Sequence, residues 1–67
     1  MYILTYKTKR GTGMMKNISN LNTGINQIKL LFHRRIECKL RCIKTDEIIG
    51  RSFQDDTSQW EWYCEID

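Results

Sequence analysis

A chain of 67 residues has room for one domain, and with 40% hydrophobic and 28% charged residues it lies far from the low-hydrophobicity composition of disorder. No apolar run approaches the ~18 residues that cross a bilayer, the first residues lack a signal-peptide layout, and three cysteines without a Cys-x-x-Cys pair argue against a disulfide framework, so a cytoplasmic protein with reduced thiols is expected. A core of this size supplies only about 3 to 5 kcal/mol, and a homodimer is one way to extend it.

Residues 2 to 8 are rich in aromatic and β-branched types and read as a first strand. The basic break Lys9-Arg10-Gly11-Thr12-Gly13 follows, and the alternation resumes over Met14 to Ser19, so the pair is expected to form a hairpin. Asn20, Asn22 and Thr23 are candidate caps for one helix, whose apolar stripe is Ile25, Ile28, Leu31 and Phe32 with Leu21 a turn upstream. His33, Arg34 and Arg35 mark its end, where the helix dipole favours positive charge.

From Arg35 to Ile43 the apolar residues Ile36, Cys38, Leu40 and Cys42 alternate with Arg35, Glu37, Lys39 and Arg41, the period of a half-buried strand. Lys44 to Glu47 forms a polar turn, Glu47 to Phe53 gives another β segment interrupted by Gly50, and residues 54 to 59 make a polar loop. Trp60 to Asp67 closes the chain, with Trp60, Trp62, Cys64 and Ile66 on one side and Glu61, Tyr63, Glu65 and Asp67 on the other. The order is β-β-α-β-β-β. An α+β fold is predicted, an antiparallel sheet of four or five strands with one helix packed on one face.

The charge is divided along the chain. Residues 1 to 44 carry ten bases against one acid, Glu37 (+9), and residues 45 to 67 carry one base, Arg51, against seven acids (−6). Such asymmetry points toward a nucleic-acid or acidic-protein partner. On this basis Lys7, Lys9, Arg10 and Lys16 are expected to form a phosphate-contacting hairpin for DNA or RNA, with Arg34 and Arg35 beside them and the ribbon entering a major groove. The competing expectation is internal neutralisation: were the last strand to lie beside the Arg35–Ile43 strand, Lys39 and Arg41 would face Glu61 and Glu65.

A second functional class is a protein-interaction module, an adaptor or inhibitor docking through the aromatics Trp60, Trp62 and Tyr63 or through a sheet edge. Trp62 is read more readily as part of the core than Trp60. Cys38, Cys42, Cys64 and His33 are the ligand types of a zinc site, but Cys38 and Cys42 on one strand stand about 13 Å apart at ~3.3 Å per residue, too far to share a metal. The cysteines are therefore expected in the core, and Asp55 and Asp56 in a solvated loop. No catalytic set, cofactor motif or metal site is read, so the chain is expected to act by binding and not as an enzyme.

Overall fold

The computed structural model describes residues 1–65, and the alternation read at Ile66 and Asp67 lies outside the described residues. Two strands, β1 (Tyr2–Lys7) and β2 (Gly13–Ile18), pair antiparallel from Tyr2 opposite Ile18 to Lys7 opposite Gly13. Thr8 donates its backbone N–H to the Thr12 carbonyl at 2.9 Å and Gly11 donates to the Thr8 carbonyl at 2.8 Å. Lys9 and Arg10 therefore sit at the apex of the turn. Gly11 has φ +86°, a conformation that costs glycine little and places it where a three-residue hairpin loop needs it.

The helix α1 spans Leu21–His33. Asn20 caps it, its side-chain oxygen accepting the Thr23 N–H at 2.8 Å and satisfying one of the amides left free at a helix start. Ile28 and Leu31 of the expected stripe are buried, and so is Gly24, which lets the helix approach the sheet closely. At the other end Arg35 has φ +58° and donates to the Phe32 carbonyl at 3.0 Å, while Ile36 donates to the Leu31 carbonyl at 2.9 Å. This paired bonding is the Schellman exit from a helix, with arginine in the position usually given to glycine.

That exit shortens the next strand. The alternation from Arg35 predicts a strand over its whole length, yet the amides of Arg35 and Ile36 are spent on helix carbonyls, and β3 covers only Cys38–Cys42. Strand β4 (Glu47–Gln54) follows a turn in which Asp46 takes φ +58°, and β5 is Trp60–Cys64. The result is an antiparallel five-stranded sheet in the order β2-β1-β3-β4-β5, with α1 in contact with all five strands on one face. The pairing of β3 with β4 slips between Leu40 and Arg41, where Leu40 faces Gly50 and Arg41 faces Ile48, so Ile49 bulges.

Alternation decides which side chains meet the helix. Leu4, Ile18, Cys38 and Leu40 close the core with Ile28 and Leu31, and Tyr2, Tyr6, Leu21, Ile36, Ile49 and Cys64 pack around them. Ser52 is also fully buried, its hydroxyl donating to the Ile36 carbonyl at 3.1 Å, which ties the segment between helix and sheet to β4. No helix is long and apolar enough to cross a membrane among the described residues.

Candidate nucleic-acid interface

The alternation that buries Leu4, Leu40 and Ser52 turns their neighbours to the face that carries no helix. Across this open face the cross-strand register forms a row of one residue per strand: Met15, Thr5, Lys39, Arg51 and Tyr63. A second row holds Asn17, Ile3, Arg41 and Ile48, and toward the hairpin end Lys7 faces Gly13 while Phe53 faces Glu61. Phe53 and Tyr63 meet edge to face with ring centroids 6.3 Å apart, and the Arg51 guanidinium lies 4.7 Å from the Phe53 centroid.

Two ion pairs occur among the described residues, Arg41 with Asp46 at 3.7 Å and Arg51 with Glu37 at 4.0 Å. The first is exposed on both sides, whereas Arg51 in the second is half-buried against an exposed Glu37; exposed pairs contribute about 0 to 1 kcal/mol. Arg51 Nε is buried without a hydrogen-bond acceptor, so its guanidinium is held more by Phe53 than by a complete set of polar partners. Lys7, Lys9, Arg10, Lys16 and Lys39 make no ion pair among the described residues.

The structure brings some of the expected contact residues together and separates others. Lys7, Lys9 and Arg10 cluster at the tip of the β1–β2 hairpin. Lys16 faces Leu4 across the hairpin, on the helix side, with its ammonium 5.8 Å from the Tyr6 ring centroid. Arg34 caps the end of the helix, and Arg35 lines a depression with Phe32, with Ser58 and Gln59 of the β4–β5 connection and with Trp60 and Glu61 at the start of β5, beside an acid and away from the hairpin strands. Neutralisation of β3 by the last strand does not occur in the form expected, because β4 lies between them: Lys39 faces Arg51, and Glu61 faces Phe53.

The aromatics of β5 divide between the two faces. Trp60 is half-buried, and Trp62, read from the sequence as the better core residue, is 38% exposed with the Lys29 ammonium 5.3 Å from its ring. Tyr63 stands on the open face at 41% exposure. Lys39, Arg41, Arg51 and Phe53 are candidate contact residues that sequence reasoning did not select. The alternation of β3 puts Lys39 and Arg41 opposite the core residues, which was the available signal for those two.

Asp55 and the three cysteines have local structural causes for their acidity. Asp55 Oδ1 accepts from the Thr57 hydroxyl at 2.7 Å and from the Thr57 and Gln59 amides at 2.8 and 2.9 Å. These bonds hold its carboxyl below the usual range and build the β4–β5 turn. Burial pushes the Cys38 thiol up to about 11, and burial followed by the nearby Glu65 charge raises Cys64. Bonds from the Thr45 amide and hydroxyl lower Cys42. Among the described residues no three His, Cys, Asp or Glu side chains gather to hold a metal. No protein-family model matches the chain, and no curated protein or solved structure matches it.

Proposed function

We propose that the chain is a non-enzymatic nucleic-acid-binding protein that uses the basic hairpin to contact phosphates. The observation that carries this reading is the isolation of the hairpin bases: Lys7, Lys9 and Arg10 project at one end of the sheet with no ion pair among the described residues. Backbone at the exposed Gly11 leaves room for an approaching phosphate, since a side chain there would meet nothing within 4 Å.

Binding of this kind is governed by counterion release. With about three phosphates neutralised by Lys7, Lys9 and Arg10, the log–log dependence of affinity on salt is expected to have a slope of about −2 to −3. A gel-shift titration of single-stranded and duplex oligonucleotides at low and moderate salt tests the reading. Each of Lys9→Ala and Arg10→Ala is expected to weaken binding of every sequence and to flatten the slope by about 1. Absence of a shift with either form of nucleic acid at low salt refutes it.

A second reading, docking on another protein, draws on β5. This strand is a sheet edge with one side unpaired, and Trp62 and Tyr63 are both more than one-third exposed along it. Under that reading Trp62→Ala abolishes capture of a protein partner while Lys9→Ala does not. The opposite pattern counts against it.

A further inference from the structure

We infer that the open face of the sheet is a site for single-stranded nucleic acid, in which a base stacks beside Tyr63 and Arg51 while Lys39 and Lys7 hold flanking phosphates. The inference rests on the nucleic-acid reading above and narrows it, in ligand and in surface.

The first argument is steric. An isolated two-stranded ribbon fits a major groove, but β1 is hydrogen-bonded to β3 along Tyr2–Tyr6 on the side opposite β2, so the hairpin strands are part of a broad sheet and only their tip is free. Five strands at ~4.8 Å spacing are about 19 Å wide, against a groove of about 12 Å. The face cannot enter a duplex groove. A single strand, with its bases splayed from the backbone, can lie across it.

The second argument is chemical. The row Met15, Thr5, Lys39, Arg51 and Tyr63 crosses the whole sheet without an acid in it. At one end stands an exposed aromatic ring, and next to it a planar guanidinium already stacked on Phe53. Both are surfaces on which a base stacks irrespective of its identity. Lys39 has no ion partner among the described residues and stands directly opposite Arg51, so the middle of the row favours an anion. The acids near this face lie off the row: Glu37 against Arg51 and Glu61 opposite Phe53 toward the hairpin end, and Asp46 against Arg41 and Glu65, two residues beyond Tyr63 on β5, toward the other end.

The third argument is shape. A concavity of about 560 Å³ opens over β2, β1 and β3, and Thr5, Lys7, Gly13, Met15, Glu37 and Lys39 line it. It continues the row from Lys39 toward the hairpin tip. A strand stacked at Tyr63 can therefore run across Lys39 and reach the bases that the hairpin displays.

The test is fluorescence anisotropy at low salt with a labelled single strand about a dozen nucleotides long and with the matching duplex. The single strand is expected to bind more tightly. Tyr63→Ala is expected to weaken single-strand binding about tenfold, as loss of one base–aromatic stack does, while Tyr63→Phe preserves it. Lys39→Gln, at an exposed position, supplies the same test without touching the core, and should weaken single-strand binding and lower its salt dependence. Equal or tighter duplex binding, with losses confined to Lys9→Ala and Arg10→Ala, would overturn the open-face site and leave the hairpin reading standing. Binding of neither form overturns both.

Discussion

Lys39 on β3 and Arg51 on β4 stand directly opposite each other, two cations in register on adjacent strands. Like charges so placed are destabilising, and the Glu37 carboxylate 4.0 Å from Arg51 offsets the repulsion only in part. A charge reversal at this position should therefore separate stability from binding. Lys39→Glu is expected to raise the urea midpoint at low salt by the equivalent of about 0.2 to 1 kcal/mol, with the gain shrinking as salt is added. The same substitution is expected to weaken single-strand binding. A variant that is both less stable and fully active would show that the cation pair is structural.

The general architecture was legible because its signals are periodic. Alternation at Cys38 and Leu40 marked the strand and its buried side, while Cys42, expected in the core, is only half-buried at the strand's end and lies outside the core, and the stripe through Ile28 and Leu31 marked the helix face. Strand order was not legible. Whether β5 joins β3 or β4 decides whether Lys39 faces an acid or Arg51, and nothing in the local pattern of either strand specifies the neighbour. Arg35 shows a second limit: its place in the alternation said strand, but the carbonyls of the preceding helix claimed its amide and the next. The candidate interface was legible at the hairpin tip, where charge and glycine fall together in sequence. It was not legible at Arg51, Phe53 and Tyr63, which meet only through pairing of β4 with β5.

Gly50 and Gly24 are both buried against the other layer, with different expected responses to a methyl group. A β-carbon at Gly50 would lie 2.6 Å from Ile28 Cδ1 and 3.2 Å from both Cys64 Sγ and the Tyr63 carbonyl, so backbone as well as side chains must shift. Gly50→Ala is expected to destabilise the fold by about 1 to 3 kcal/mol in equilibrium denaturation. At Gly24 the one severe contact is Leu40 Cδ2 at 2.7 Å, and about 1 kcal/mol of helix propensity is gained in return. Gly24→Ala should be the milder change. Equal losses would mean that Leu40 cannot move.

Arg35 occupies a left-handed conformation in which a β-carbon costs about 1 to 2 kcal/mol. Arg35→Gly removes that cost and keeps both backbone bonds of the helix exit, at the loss of the guanidinium 5.6 Å from the Phe32 ring, an exposed contact of about 0.5 to 1 kcal/mol. The balance, with the greater freedom of glycine in the unfolded chain, is a thermal midpoint no lower than that of the parent. Because Arg35 sits at the helix exit, in a depression with Phe32 and the β4–β5 connection and away from the hairpin and the Lys39 row, nucleic-acid affinity should be unchanged. A marked drop in affinity would bring the helix end into the site.

Cys38 makes stability depend on pH in the alkaline range. The folded chain holds its thiol proton up to about pH 11, because burial at 2% exposure disfavours the thiolate, whereas the unfolded chain releases it near the ordinary value of 9.0. Below pH 9.0 both states keep the proton and the contribution is fully present. Between 9.0 and about 11 the folded state binds more protons than the unfolded one, so stability falls as pH rises, by up to about 1.4 kcal/mol per pH unit. Urea denaturation at stepped pH across this window measures the slope. The informative quantity is the difference from Cys38→Ala, which starts less stable at neutral pH for lack of the buried sulfur but should lose stability more slowly. Parallel slopes for the two proteins would mean that the Cys38 thiol ionises in the folded chain as readily as in the unfolded one.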